Sequence, residues 1–159
     1  MHCFSLVVCR HPTTGLWLAV EENKNRGWWL PGGFVECGDN HFSTAVKETA
    51  EEAGITVQVK GILRVENEMG PRGGRQRVIF YAEPIDANQA PKSTPDDESL
   101  GAAWLSLSEL EQKSHKPPPQ GLRGRELLDW ARYIENGGAI YPLAVLSGEH
   151  AAVPSGKAS

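Results

Sequence analysis

The chain has 159 residues and a formal net charge of −4, with 40% hydrophobic and 23% charged residues. This length suits one domain, and the composition is that of an ordinary globular protein rather than a disordered chain. An acidic balance argues against sequence-independent binding along nucleic acid, which needs a basic surface. A small phosphorylated ligand held by a local basic cluster remains compatible with this charge.

The cysteines and the chain start bear on the compartment. The number of cysteines is odd, and the three of them, Cys3, Cys9 and Cys37, lack the spacing of a metal finger. This favours free thiols in a reducing cytosol over a disulfide framework. The start of the chain lacks a basic segment before a long apolar run, so we expect no secretory signal. No apolar run approaches the roughly 20 residues that span a bilayer. These features predict a cytoplasmic protein without a membrane anchor.

Apolar patterns and turn signals give the elements in chain order. Strands are predicted at residues 4–9, 16–20, 28–30, 57–66, 77–83 and 102–105. Helices are predicted at residues 40–53, 106–112 and 121–135. The first two strands flank the turn cluster HPTTG, which predicts a hairpin, and residues 84–100 are predicted to be a loop. Residues 1–148 are predicted to form a single domain, and residues 149–159 a flexible tail.

The first predicted helix combines good ends with an unusual acidic face. Asn40 can cap its N-terminus and Gly54 can end it. Glu48 lies three residues from Glu51 and four from Glu52, a spacing that places the Cβ atoms about 5–6 Å apart. Such carboxylates repel one another, whereas a hard cation such as Mg²⁺ reverses the sign of the interaction. Three glutamates alone are more often a solvated acidic face.

The segment before this helix favours the metal interpretation. Gly32 and Gly33 follow a short apolar strand and allow the backbone to approach a phosphate or to offer a carbonyl oxygen to a metal. Alone, Pro31-Gly32-Gly33 would indicate only a tight turn. A strand, a glycine pair and an acidic helix in succession can converge on one cation.

The stretch GFVECGDNHFSTAVKETAEEAGI, residues 33–55, resembles the box of the Nudix (MutT-like) hydrolase family, G-x5-E-x7-R-E-U-x-E-E-x-G-U, where U is a bulky aliphatic residue. The spacing is kept throughout. Three positions depart from the pattern: Asp39 stands for a glutamate, Lys47 for an arginine and Thr49 for an aliphatic residue. The matching positions are Gly33, Glu48, Glu51, Glu52, Gly54 and Ile55.

The resemblance implies an α/β/α sandwich with a curved mixed sheet. It implies a nucleotide pyrophosphatase activity, in which a phosphoanhydride bond is hydrolysed in a nucleoside diphosphate linked to a group X. The implied cofactor is Mg²⁺, with Mn²⁺ as the alternative. Carried over by position, the metal ligands are Glu48, Glu51, Glu52 and the Gly32 carbonyl. The family arginine pairs with box carboxylates, so Lys47 keeps the charge but loses the bidentate fork. Thr49 is expected to bond back to the preceding turn.

The resemblance also implies a general base, placed in this family either in the box or on a later loop. Glu52 is the candidate in the box, Glu51 is a further catalytic candidate, and Glu98 is favoured on the loop. Asp96 is expected to belong to a solvated acidic loop.

Clustered cations between two strands suggest a hairpin able to reach substrate phosphates, although a solvated basic turn explains them equally well. The candidates are Arg72, Arg75 and Arg77, with Arg64 as a weaker one. Trp28 is the candidate for stacking on a base. Because neighbours in a strand face opposite sides, one of Trp28 and Trp29 is expected in the core.

Two other classes of function stay open. A Nudix-fold module could bind a nucleotide without effective hydrolysis, which the departures at Asp39, Lys47 and Thr49 slightly favour. A structural domain with a surface acidic helix would predict no stabilisation by Mg²⁺. The identity of X is open among the family's nucleotide substrates, and the segment after residue 121 suggests a homodimer contact.

Overall fold

The computed structural model describes residues 1–156. Its seven strands are β1 His2–Cys9, β2 Trp17–Glu22, β3 Gly27–Trp29, β4 Gly32–Phe34, β5 Val57–Gly70, β6 Gly73–Pro84 and β7 Gly101–Leu105. Its three α-helices are α1 His41–Ala53, α2 Leu107–Ser114 and α3 Glu126–Glu135, and a short 3-10 helix spans Leu143–Val145.

The strands form two sheets. The first is mixed, in the order β4-β1-β6-β5, with β1 parallel to β6 and antiparallel to β4. The second is antiparallel, in the order β3-β2-β7. The pairing of β1 with β4 brings Ser5 opposite Gly33, so the glycine pair is fixed against a central buried strand.

Alternation along the strands produces one apolar core on each side of the sheet layer. On β1, Leu6 faces the core shared with α2 and α3, whereas Val7 faces the core shared with α1. Ile79 and Phe80 on β6 divide in the same way. Because both faces of these strands are covered by helices, the expected α/β/α sandwich with a mixed sheet is confirmed.

Two expectations from local patterns are wrong. The predicted hairpin of β1 and β2 does not form, because these strands belong to different sheets; the chain between them forms an isolated bridge between Arg10 and Trp17 and a hydrogen bond from the His11 N–H to the Leu16 carbonyl. Helix α3 begins at Glu126 rather than at residue 121. The Gly121 carbonyl instead accepts from the Trp28 N–H at 3.0 Å, and the Arg123 N–H donates to the Trp28 carbonyl at 2.8 Å.

The remaining boundaries differ at the ends of the elements. Strands β5 and β6 extend to the turn at Pro71 and Arg72, so the predicted basic hairpin is largely strand. Within residues 1–156 no helix combines the length and apolarity needed to cross a bilayer. The predicted tail of residues 149–159 contains no helix or strand as far as residue 156, and residues 157–159 lie outside the described part of the chain.

Candidate active site

Helix α1 has well-defined ends, which fix the position of its acidic face. The Asn40 side chain accepts from the Ser43 N–H at 2.9 Å, and the Ser43 hydroxyl accepts from the Asn40 N–H at 3.0 Å. Gly54 ends the helix at φ 69°, a left-handed conformation that glycine adopts without strain. Both predicted ends are confirmed. The Thr49 hydroxyl donates to the Ala45 carbonyl at 2.8 Å, as its position in the box predicts.

The glycine pair lies in strand β4 rather than in a loop. A Cβ atom on Gly33 would stand 2.4 Å from Cδ of Glu48, so only glycine lets the strand pass this close to the carboxylate. A Cβ on Gly32 would stand 2.6 Å from the Ser5 carbonyl oxygen. The backbone of β4 therefore packs directly against the acidic face of α1.

Carboxylates from two distant segments meet beside this strand. Glu48 and Glu51 on α1 and Glu98 on the loop before β7 each offer an oxygen, and these oxygens all lie within 4.8 Å of one another. Three acidic oxygens at this separation form a donor set suited to a hard divalent cation. Glu52 is not one of these three, but it is close enough to Glu48 and Glu98 for their charges to raise its pKa. We call Glu48, Glu51, Glu52 and Glu98 the acidic cluster.

The loop that carries Glu98 is held by its own hydrogen bonds. The Asp96 carboxylate accepts from the Glu98 N–H at 2.8 Å and pairs with Lys92. The Ser99 hydroxyl donates to the Glu52 carbonyl at 2.6 Å and ties the loop to α1. Asp96, which the sequence assigns to a solvated loop, therefore shapes the turn that presents Glu98.

Two carboxyl groups of the acidic cluster, Glu48 and Glu52, have raised pKa values. Burial, followed by repulsion from Glu48, raises the pKa of Glu52 to about 8, although the Gly32 N–H donates to it at 3.4 Å. Burial, followed by repulsion from Glu51 and Glu98, raises the pKa of Glu48 to about 7. A bound cation would lower both pKa values by stabilising the ionised carboxylates.

A cleft of about 390 Å³ opens beside Glu52 and Glu98. Its acidic side continues with Glu22 and Asp97, while cationic and aromatic side chains line the rest. These are Lys24, Arg26, Arg75, Arg77, Arg123, Phe4 and Trp29. A ligand that carries phosphates and a flat ring would find a complementary partner for each part.

The model of the NUDIX domain family matches residues 3–131. The chain belongs to this family. A Homo sapiens protein named 8-oxo-dGDP phosphatase NUDT18 is 33% identical over 114 residues, which cover 70% of this chain and 32% of that protein. An ADP-ribose pyrophosphatase from Methanocaldococcus jannaschii is 34% identical over 89 residues, covering 45% of this chain and 53% of that one. This Nudix domain thus spans about a third of the human relative's length.

The fold agrees with that of a solved NUDIX hydrolase from Nitrosomonas europaea. The TM-score is 0.69 at 19% identity, with 92% of this chain and 96% of that chain covered. This likeness supports the arrangement of helices and sheets in our Nudix domain.

Two of the three departures in this Nudix box, Asp39 and Lys47, contact each other. The Lys47 ammonium donates to Glu36 at 2.9 Å and to Asp39 at 3.3 Å. These hydrogen bonds raise the pKa of Lys47, which therefore stays charged. Asp39 thus reaches the lysine despite its shorter side chain. The pair ties the loop before α1 to the helix rather than orienting Glu51 or Glu52.

The structure brings only some predicted substrate residues to the cleft. Arg75 and Arg77 line it. Arg64 instead lies with its guanidinium 4.9 Å over the Trp130 ring, in a separate groove beside α3. Trp28 has the Lys113 ammonium 4.6 Å over its ring, and Arg72 lies at the turn between β5 and β6. Arg64, Trp28 and Arg72 therefore do not line the cleft.

The structure adds residues that the sequence did not single out. Trp29 lines the cleft where Trp28 does not, as alternation along β3 allows. Lys24 and Arg26 come from the turn between β2 and β3, and Arg123 from the irregular segment before α3. Nothing in the local sequence marks Arg123, because its approach to the cleft depends on the backbone pairing with Trp28.

Proposed function

We propose that this chain is a divalent-metal-dependent hydrolase that cleaves a phosphoanhydride bond of a nucleoside diphosphate linked to another group. The observation that carries the proposal is the meeting of Glu48, Glu51 and Glu98 within 4.8 Å beside the cleft. Membership of the NUDIX domain family supports the same chemistry. The names of the two relatives, an 8-oxo-dGDP phosphatase and an ADP-ribose pyrophosphatase, both refer to nucleotides with a diphosphate.

The acidic cluster fits Mg²⁺ or Mn²⁺. Glu48, Glu51, Glu52 and Glu98 would supply carboxylate oxygens, and the Gly32 carbonyl is a further candidate ligand. The raised pKa values of Glu48 and Glu52 support this assignment, because burial and then repulsion from neighbouring carboxylates disfavour their charged forms, and a bound cation would offset both effects. When bound, the metal neutralises phosphate charge and makes water a better nucleophile.

The chain's own residues would accept a proton from water and bind the substrate phosphates. Glu52 and Glu98 are the two candidates for accepting the proton of the attacking water, and both line the cleft. Arg75 lies 4.7 Å over the Phe4 ring and lines the cleft, which suits it to bind a substrate phosphate. Arg77 also lines the cleft but is already bound by two carboxylates, so we assign Arg75 the larger part in phosphate binding.

Single replacements test the assignment. We expect Glu51→Gln, Glu52→Gln and Glu98→Gln to lower kcat at saturating Mg²⁺, by about 10²–10⁴-fold for the residue that acts as general base. Turnover is measured on a panel of nucleotide diphosphates with products identified by mass spectrometry. Glu149→Gln, at an exposed residue far along the chain, is the matched control. Wild-type rates in the first two variants, or no turnover of any nucleotide by the wild type, would refute the proposal.

A further inference from the structure

Two cation–aromatic stacks line the cleft, and they differ in charge. The Arg123 guanidinium lies 4.4 Å over the Trp29 ring, and the Arg75 guanidinium lies 4.7 Å over the Phe4 ring. The Arg123 Nη1 donates to both carboxylate oxygens of Glu22 at 2.9 Å. Within residues 1–156 no carboxylate lies within ion-pair distance of Arg75, although Glu68 is its partner on the neighbouring strand β5. The first stack is therefore electrically compensated, whereas the second retains a full positive charge.

Backbone contacts of the segment before α3 hold the compensated stack in place. The Arg123 N–H donates to the Trp28 carbonyl, which fixes the arginine beside the strand that carries Trp29. Gly121 packs so tightly that a Cβ there would stand 1.7 Å from the Lys116 carbonyl oxygen. A planar group held at one edge and on one face loses little freedom when a ligand binds its other face.

We infer that Glu22, Trp29 and Arg123, which we call the stacking platform, bind the nucleobase of the substrate. This inference rests on the proposed function and specifies which residues of the cleft bind the base of the substrate. The Arg123 side chain is 41% exposed and lines the cleft, so a flat ring in the cleft can reach the guanidinium that lies over Trp29. Glu22 offsets the arginine charge, which suits a neutral base better than a phosphate.

The platform stands next to the chemistry. Glu22 is close enough for its charge to raise the pKa of Glu52 further. A nucleoside whose base lies on Arg123 would therefore place its diphosphate between the acidic cluster and Arg75. Stacking recognises the face of a base rather than its hydrogen-bonding edge. Purines, which offer the larger face, bind the platform more tightly than pyrimidines.

Calorimetric titrations with Mg²⁺ and either ADP or inorganic pyrophosphate separate the base from the phosphates. We expect Trp29→Leu to weaken ADP binding by about 5- to 100-fold while pyrophosphate binding changes less than about twofold. Trp29→Phe should retain most of the ADP affinity, because it keeps a flat ring. Trp130→Leu is the matched control, since it removes the Trp130–Arg64 stack outside the cleft and should leave both affinities unchanged.

These titrations distinguish a wrong assignment of the stacking platform from a wrong assignment of the hydrolase activity. Equal loss of ADP and pyrophosphate affinity in Trp29→Leu, or unchanged ADP affinity, overturns the platform. If that variant does not fold, Arg123→Met provides the same comparison from the other member of the stack. Binding of ADP that depends on Trp29 in a protein that hydrolyses no nucleotide would uphold the platform and refute the hydrolase.

Discussion

The Glu48 carboxylate lies directly against Gly33, with no room for a side chain between them. A Cβ on Gly33 would stand 2.4 Å from Cδ and 2.6 Å from Oε1 of Glu48. Glu48 is also the member of the acidic cluster whose pKa rises to about 7 by burial and by repulsion from Glu51. The strand backbone thus sets where this carboxylate can stand.

Gly33→Ala should therefore damage the site more than the fold. The new methyl group meets the flexible end of Glu48, which can move away at small cost to stability, about 1 kcal/mol or less. Moving that carboxylate out of the cluster should weaken Mg²⁺ binding at least about tenfold. Metal titration followed by calorimetry, with unfolding in urea, measures both effects.

Gly32→Ala provides the contrast in stability. Its methyl group would meet Leu6 and the Ser5 backbone on β1, which cannot swing aside. We expect a loss of about 1–3 kcal/mol in the free energy of unfolding, typical of overpacking. Similar stability losses in the two variants, with unchanged metal affinity in Gly33→Ala, would contradict this account.

Arg75 and Arg77 lie two residues apart in β6 and have different expected roles. Arg77 donates to Glu66 at 2.7 Å and to both oxygens of Glu126 at 3.0 and 2.9 Å, so it ties β5 and β6 to α3. Arg77→Ala would strand two partly buried carboxylates and should cost about 1–3 kcal/mol of stability. Arg75→Ala should instead change stability by less than about 0.5 kcal/mol and raise KM about tenfold.

Chemical denaturation and steady-state kinetics on the two arginine variants test this division. Arg77→Lys, which keeps the charge but cannot contact both carboxylates in the same way, should not recover the lost stability. A larger stability loss in Arg75→Ala than in Arg77→Ala would show that the roles are reversed.

The metal-free protein should lose stability as the pH rises. Because the folded-state pKa values of Glu48 and Glu52 rise from 4.5 to about 7 and about 8, the folded state binds more protons than the unfolded state between those limits. The free energy of unfolding therefore falls as the pH increases from about 4.5 to 8. Melting temperatures measured with a chelator from pH 5 to 9 should show this fall, and Glu52→Gln should flatten it.

Added Mg²⁺ should raise the melting temperature most at the upper end of that pH range. There the carboxylates are ionised and repel one another in the metal-free state, so the cation relieves the largest strain. A melting temperature that rises with pH in the chelator, or no response to Mg²⁺ or Mn²⁺ at pH 8, would contradict the expected electrostatics.

Helix α1 shows how much could be predicted from the sequence. Its caps at Asn40 and Gly54, the spacing of its glutamates and the back-bonded Thr49 all follow from interactions within a few residues.

The predicted hairpin after Cys9 failed for the opposite reason. The turn sequence reverses the chain locally, but β1 pairs with β6 along its whole length while β2 joins the other sheet. Which strand pairs with which is decided by contacts between residues far apart in the chain.

The sequence by itself determined the family pattern, the α/β/α architecture and three acidic side chains on one helical face, since fixed spacing on a helix fixes their geometry. Only the tertiary structure decided which other residues join them. Glu98 reaches the acidic cluster because the loop before β7 is tied to α1 through Ser99. Arg123 reaches Trp29 because the segment before α3 pairs with β3 instead of continuing the helix. Both approaches depend on backbone partners far away along the chain, which no local pattern encodes.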